Sequence, residues 1–237
     1  MRMSKREFYH NIYSGKASLY QSMIAAEDYE NHLLTAIQSF VNLTGARVVD
    51  FGSGTGRIPL LLAPFTRHVV ALDLYRAMLL ESRLVQTRQK LDPLLVQADN
   101  RAVPLDPNTA DLVTAGWSIG HMRGWYPDDW RAQISRVLDE MFRVARPGAT
   151  VIIFETLSTG ALLPVPPTPQ LAEYYHWLET TWGFSCNILS TDYQFKSAED
   201  AVHQMEFFFG AQLASDIRSH QWSIVPEWTG MWVKMKA

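Results

Sequence analysis

Between residues 46 and 155, five short β-branched or apolar runs (ARVVDF, HVVALDL, PLLVQAD, ADLVTAG and ATVIIFE) are separated by longer stretches of helical character. That alternation constrains the fold more than any other feature of the chain. Strands that never follow one another directly need crossover connections, and helical crossovers of one hand cover both faces of a parallel sheet. The best marked crossover is DDWRAQISRVLDEMFRVARPG. Trp130, Ile134, Val137, Leu138, Met141 and Phe142 recur there at helical spacing, and Pro147-Gly148 stops the helix before the next strand. The pattern predicts an amphipathic helix lying on a sheet.

Ahead of the first strand, residues 18 to 40 read as one helix, led in by FYHNIYSG, and this N-terminal arm has no strand partner in the pattern. After the fifth strand, LLPVPPTPQ at residues 162 to 170 must be extended. A helix in LAEYYHWLETTWG follows, then FSCNILSTDYQF, which alternates like a strand. Ser197 then caps a helix, with Asp200 three residues on and Val202, Met205, Phe208, Phe209 and Leu213 on its apolar face. EWTGMWVKM supplies a last strand. Two strands around one helix are too little for a second core, so residues 1–237 are expected to form a single domain. Most of the C-terminal aromatics (Trp177, Trp182, Trp222, Trp228, Trp232) must then be core.

The chain has 237 residues, 47% apolar and 19% charged, which is ordinary for a globular protein and excludes disorder and coiled coil. A formal charge of −3 offers no basic field for a phosphate backbone, so nucleic-acid partners are not expected. Cys186 is the single cysteine, which rules out an intramolecular disulfide and a Cys-rich metal site within one chain. The N-terminus lacks the apolar stretch of a signal peptide, and no apolar run is long enough to span a bilayer. A cytoplasmic location is expected.

The sharpest motif is VVDFGSGTGRI, residues 48 to 58, at the junction of the first strand and the next helical run. Gly52, Gly54 and Gly56 let the backbone turn tightly and approach a ligand, and the helix beyond opens with unpaired N–H groups. A nucleotide-like ligand is expected there. The dinucleotide fingerprint G-x-G-x-x-G is not met, because Arg57 stands where its last glycine belongs, which argues against NAD. With Asp50 inside the strand, VVDFGSGTG resembles motif I of the class I S-adenosylmethionine-dependent methyltransferases.

Further segments carry the resemblance in order. Asp73, ending HVVALDL, stands where the family pairs an acid with the ribose hydroxyls, and Leu74 would pack on the adenine. PLLVQADNRAVPL places Asp99 to accept from the adenine amino group and the Asn100 backbone N–H to reach the ring. ADLVTAGWSIGHM and DEMFRVARPGATVIIFE are similar to the fourth strand and the approach to the fifth. The resemblance implies a Rossmann-like three-layer αβα sandwich, class α/β, with a seven-stranded mostly parallel sheet of order 3-2-1-4-5-7-6 and strand 7 antiparallel. It implies S-adenosylmethionine as cofactor, held by Asp50, Gly52, Ser53, Gly54, Gly56, Asp73, Leu74, Asp99, Asn100 and Trp117. Tyr13 and Tyr20 are candidates for an aromatic lid. Residues 1–44 become a helical lid, 45–155 the cofactor-binding core, and 156–237 the acceptor-side segment with strands 6 and 7.

Each assignment has a plainer rival. Asp50 can orient the loop by accepting backbone N–H groups, Asp73 can be a helix N-cap, and Trp117 can be a core aromatic. His121, past the fourth strand, and Glu155, ending the fifth, are the candidate proton acceptors; either can instead be a structural residue. In-line methyl transfer needs no acid for its neutral thioether leaving group, so alignment and exclusion of water can carry much of the catalysis. No metal is expected. The acceptor is expected to be a small molecule, because the segment AGWSIGH lacks the Asn/Asp-Pro-Pro-aromatic signature of nucleic-acid amino methyltransferases; a protein acceptor stays open. The chain is expected as a monomer or homodimer, away from membranes. Two other functions compete: a non-catalytic S-adenosylmethionine-binding protein, which would fill the space beside Trp117, and an NAD(P)-dependent reductase.

Overall fold

The computed structural model describes residues 5–237. The chain runs α1 (Lys5–Gly15), α2 (Ala17–Ile24), α3 (His32–Phe40), β1 (Arg47–Phe51), α4 (Arg57–Leu62), β2 (His68–Asp73), α5 (Arg76–Gln89), β3 (Leu94–Gln97), β4 (Ala110–Gly116), α6 (His121–Trp125) and α7 (Trp130–Val144). It continues through β5 (Ala145–Thr159), α8 (Pro169–Thr180), β6 (Ser185–Ser190), β7 (Tyr193–Gln194), α9 (Ala198–Phe209), α10 (Ala211–His220), β8 (Ile224–Val225) and β9 (Glu227–Met235).

Seven strands make one sheet in the order β3-β2-β1-β4-β5-β9-β6. Counted along the chain within that sheet, the order is 3-2-1-4-5-7-6, and the inserted β9 runs antiparallel to both β5 and β6. The strands are apolar on both sides because helices cover both faces. Val49, Val113 and Ile153 face a core that includes Ile134, Leu138 and Met141 of α7 and Tyr174 and Leu178 of α8. Their neighbours Val48, Leu112 and Ile152 point the other way, into a core with Leu33 and Ile37 of α3 and Ile58 and Leu62 of α4. The alternation within each strand is the two-residue period of the pleat.

A third apolar cluster lies outside these layers. Met23 and Ile24 of α2, Val202 and Met205 of α9, Leu213 and Ile217 of α10, and Tyr193 and Val225 pack together. It ties the N-terminal arm to the C-terminal segment.

Several elements differ from the sequence pattern. Residues 18–40 are not one helix: the chain breaks after Ile24, Asp28 and Asn31 take left-handed backbone angles, and α3 restarts at His32. The Asp28 carboxylate accepts from the N–H groups of His32 (2.8 Å) and Leu33 (3.1 Å), satisfying donors that a helix start leaves open. The arm does have a strand partner, since Glu27 and Tyr193 form an antiparallel bridge. FSCNILSTDYQF divides into β6, in the main sheet, and β7, which pairs with β8 in a separate two-stranded ribbon. The helix capped by Ser197 ends at Phe209; Gly210, at φ 85°, turns the chain, and Leu213 belongs to α10. Helix α7 ends at Val144, before Pro147-Gly148, because β5 already starts at Ala145. That strand runs on to Thr159, so Glu155 lies inside it; only its pairing with β4 stops, at Phe154.

Candidate active site

Strand β1 ends at Phe51, and Gly52, Gly54 and Gly56 all carry positive φ angles (72°, 56° and 101°) before α4 opens at Arg57. The three glycines serve different ends. A Cβ on Gly52 would lie 2.5 Å from the Ser118 Cβ, and one on Gly56 would lie 2.6 Å from the Ser82 hydroxyl. A Cβ on Gly54 would meet only the Met78 methyl, at 3.5 Å. Two positions are therefore cleared for protein packing, and Gly54 is the one with room beside it.

Asp73 organises this loop. Its Oδ2 accepts from the Gly54 N–H (2.8 Å) and its Oδ1 from the Tyr75 N–H (2.7 Å). It is not the N-cap of α5, a position held by Tyr75. Burial raises its carboxyl to about 6, against the pull of those N–H groups. Asp50 is buried, accepts from the Thr114 hydroxyl at 2.5 Å across the β1–β4 pair, and is raised by burial to about 7. Its hydrogen bond comes from a side chain and not from the loop backbone. Asp99 lies just past β3 and is gripped by Arg101, whose Nε reaches Oδ1 at 2.9 Å and whose Nη2 reaches Oδ2 at 2.5 Å. Those bonds hold its carboxyl below the usual range.

Asp50, Asp73, Asp99, Ser53, Asn100 and Trp117 line one cavity, together with Tyr13, Tyr20 and the half-exposed Leu74. Within it Ser53 Oγ, Thr55 Oγ1, Asn100 Oδ1 and Trp117 Nε1 are buried and find no hydrogen-bond partner among the described residues. Buried polar atoms carry a desolvation cost until a partner meets them, so this wall is chemically set for a polar ligand.

A second cavity, of ≈ 930 Å³, adjoins the first. Tyr13, Tyr20, Trp117 and His121 belong to the walls of both. Trp117 takes a left-handed φ of 49°, an outlier for so bulky a residue. It is held there by its N–H donating to the Phe154 carbonyl (2.7 Å), by stacking on the Phe154 ring (5.7 Å between centroids), and by the Arg57 guanidinium 3.6 Å over its own ring. His121 Nε2 shares a hydrogen bond of 2.9 Å with the Tyr13 hydroxyl, and its ring stacks on Trp125. Burial lowers its pKa to about 4, so it is neutral at physiological pH and a weak base. Glu155 accepts from the Gly120 N–H (2.7 Å), with the Tyr174 hydroxyl at 3.4 Å. Burial raises it to about 8. Tyr175, Phe208 and Phe209 also reach this cavity, while Trp177 and Trp232 are core.

The sequence missed one group altogether. Arg57 entered the reading only as a missing glycine, yet its Nη1 lies 2.6 Å from Glu27 Oε2, with Glu227 close by. Glu27 and Glu227 stand 200 residues apart in the chain, on the N-terminal arm and at the start of β9. No local signal encodes that.

Residues 49–153 match the family described as "Methyltransferase domain". The chain is 30% identical to a demethylmenaquinone methyltransferase of Lactiplantibacillus plantarum over 193 residues, covering 72% of this chain and 77% of that one. It is 33% identical to a malonyl-[acyl-carrier protein] O-methyltransferase of Salmonella typhimurium, covering 58% of this chain and only 52% of the relative. A solved S-adenosylmethionine-dependent methyltransferase from Aquifex aeolicus superposes with a TM-score of 0.58 at 15% identity, covering 93% of this chain and 98% of the other, a likeness of fold. Among the described residues no helix is long and apolar enough to cross a membrane. With the sheet order, the strand-end acids and the glycine loop all in place, the chain belongs to the class I S-adenosylmethionine-dependent methyltransferases.

Proposed function

We propose that the chain methylates a small molecule held in the larger cavity, using S-adenosylmethionine held in the smaller one. The observation that carries this reading is the shared wall: Tyr13, Tyr20, Trp117 and His121 border both spaces, so ligands in the two would meet there. A cavity of ≈ 930 Å³ is of the size that takes drug-sized ligands. Open space beside Trp117 counts against a binding-only role, and the Arg57 side chain in place of the third fingerprint glycine counts against a nicotinamide cofactor.

The residues of the smaller cavity fit the cofactor. Asp73, held by backbone N–H groups, keeps acceptor capacity for a ribose hydroxyl. Asp99 is ionised and fixed by Arg101, ready to accept from the adenine amino group, with Leu74 beside it. The unpartnered atoms of Ser53, Thr55 and Asn100 are polar contacts awaiting a ligand. When bound, the cofactor supplies a methyl carbon on a sulfonium, which a lone pair attacks in line. Tyr13 and Tyr20, carried by the N-terminal arm, exclude water from the junction.

Of the two candidate bases, Glu155 suits the task better. A general base works best with a pKa near the operating pH, and about 8 meets that where about 4 does not. His121, fixed by Tyr13 and Trp125, orients the acceptor. The names of the relatives favour a quinol-like ring or a carboxyl as acceptor, and the aromatic lining favours the ring. Calorimetric titration with S-adenosylmethionine, S-adenosylhomocysteine, NAD and NADP tests the cofactor; binding of the first pair alone is expected, and binding of a nicotinamide or of nothing refutes it. Transfer of a labelled methyl group to phenols, hydroquinones, amines and carboxylates then tests the acceptor.

A further inference from the structure

Five residues on the wall of the larger cavity have a buried polar atom that meets no hydrogen-bond partner among the described residues, and four of those atoms are N–H donors: Arg57 Nη2, Trp117 Nε1, Arg123 Nε and Trp125 Nε1. The one acceptor is Glu27 Oε1. Arg57 has a carboxylate of its own, since its Nη1 donates to Glu27 Oε2 at 2.6 Å. Arg123 shares one. Its single hydrogen bond among the described residues runs from Nη2 to Glu173 Oε2 (2.8 Å), and Arg131 Nη2 donates to the other oxygen of the same carboxylate at 2.7 Å.

One carboxylate between two guanidinium groups leaves one positive charge over. The Arg123 side chain is 15% exposed and uses one of its five N–H groups, so a largely buried cation keeps donors unmet. Glu173 and Arg131 are open to water and do not line the cavity. The other carboxyls on that wall are engaged elsewhere: Glu27 pairs with Arg57, Glu155 accepts from the Gly120 N–H, and Asp216 on α10 accepts from Gln212 of its own helix at 3.1 Å. Among the described residues none of them forms an ion pair with Arg123. The guanidinium is also held in place, 5.1 Å from the centroid of the buried Trp130 ring, with Arg131 at 4.4 Å from the same ring. A fixed planar cation with open donors matches the two oxygens of a carboxylate, and one spare charge matches a monoanion.

We infer that Arg123 is the recognition residue for a carboxylate carried by the methyl acceptor, which makes the substrate class an aromatic acid. This rests on the reading of the larger cavity as the acceptor site. The rings of Tyr9, Phe208 and Phe209, which also line that cavity, suit the aromatic body. The carboxylate is a handle and not the nucleophile, because its lone pairs are taken by the guanidinium. The methylated atom is another group of the same molecule, at the wall shared with the cofactor. His121 on that wall and Arg123 both belong to the five-residue α6, so a small acid can touch both.

The test uses three probes of one shape: 3-phenylpropanoate, 3-phenylpropanol and 3-phenylpropylamine. Each is titrated calorimetrically into the protein, with and without S-adenosylhomocysteine. The carboxylate is expected to bind at least about tenfold more tightly than the alcohol, as one charge-assisted contact implies, and the amine most weakly. Two variants locate the contact. Arg123→Gln should bring the carboxylate within about twofold of the alcohol. Glu173→Gln removes the carboxylate that competes for Arg123 and leaves the Arg57–Glu27 pair alone, so it should tighten the carboxylate by about two- to fivefold and leave the alcohol unchanged. Equal or tighter binding of the alcohol or the amine by the native protein, a preference that survives Arg123→Gln, or unchanged or weaker carboxylate binding in Glu173→Gln overturns the proposal. The last of these also decides the matter if Arg123→Gln fails to fold, and it is the result expected if Arg123 only ties α6 to α8. No binding of any probe at millimolar concentrations overturns the proposal together with the acceptor reading of the cavity. A failure to bind S-adenosylhomocysteine strikes the cofactor reading instead, because the carboxylate preference is read on the protein without it as well.

Discussion

Replacing Asp73 by Asn changes one oxygen to an NH₂ group and removes a charge while keeping the shape. In the native structure both oxygens are occupied by backbone donors, Gly54 N–H at 2.8 Å and Tyr75 N–H at 2.7 Å. Asn retains an acceptor for one of them and turns a donor toward the other. The loss of one hydrogen bond to a charged group is worth about 1.5–3 kcal/mol, and removal of a charge that burial already disfavours offsets part of it, which puts the fold penalty nearer about 1–2 kcal/mol. For a chain of this length that is a drop in Tm of about 2–8 °C. Binding suffers separately, because the ribose hydroxyls lose a charged acceptor: about 1.5–3 kcal/mol, or roughly ten- to hundredfold in Kd for S-adenosylhomocysteine. The assay is calorimetry at pH 8, where the native carboxyl, with its pKa of about 6, is ionised, together with thermal melting of both proteins. Native affinity should fall as the pH drops through about 6, and the variant should be flat there. A folded variant whose Kd stays within about twofold of native would sink the ribose assignment.

With Glu155 as the base, kcat/KM should rise with pH and level off above about 8, since only the ionised carboxyl accepts a proton; Glu155→Gln should remove that limb and cost about 10²–10⁴ in rate. An unchanged pH profile in the variant refutes the role. Gly54→Ala should weaken S-adenosylhomocysteine binding with a modest loss of Tm, whereas Gly56→Ala, whose Cβ would meet the Ser82 hydroxyl at 2.6 Å, should lower Tm more; the reverse order would contradict the division of labour among the glycines. Finally, Asp50, Asp73 and Glu155 titrate at about 7, 6 and 8 in the folded state, all raised by burial. The folded chain therefore holds these protons more firmly than the unfolded one. Their contribution is complete below the ordinary carboxylate range and is lost as pH rises through those values, at up to about 1.4 kcal/mol per unit for each group. Melting of the ligand-free protein should fall from about pH 6.5 to pH 8, above the range where His121, lowered to about 4, contributes with the opposite sign, and a flat or rising Tm there would contradict the burial of Asp50 and Glu155.

The sheet and the glycine loop were legible because each rests on local pattern. Val48, Val49 and Asp50 announce a buried strand, and three alternating glycines announce a tight turn with positive φ angles. The cap Ser197 was legible for the same reason, its hydroxyl accepting from the Asp200 N–H. What escaped depends on contacts distant in sequence. The break in residues 18–40 is capped by Asp28 folding back on the next helix start, and the ribbon of β7 and β8 joins segments about 30 residues apart, with the arm bridging to Tyr193. The loop's dependence on Asp73 was hidden because an acid after a strand looks the same whether it binds a sugar, a backbone or both.

The Arg57–Trp117 pair faces both cavities as a single stacked plate, with the guanidinium 3.6 Å over the indole. A partition with an occupant on either side cannot shift for one alone. Whatever factor the acceptor imposes on cofactor affinity through that plate, the cofactor must impose the same factor in return. The two compartments thus keep a common partition, and the ratio of either ligand's Kd with and without the other measures the coupling it carries.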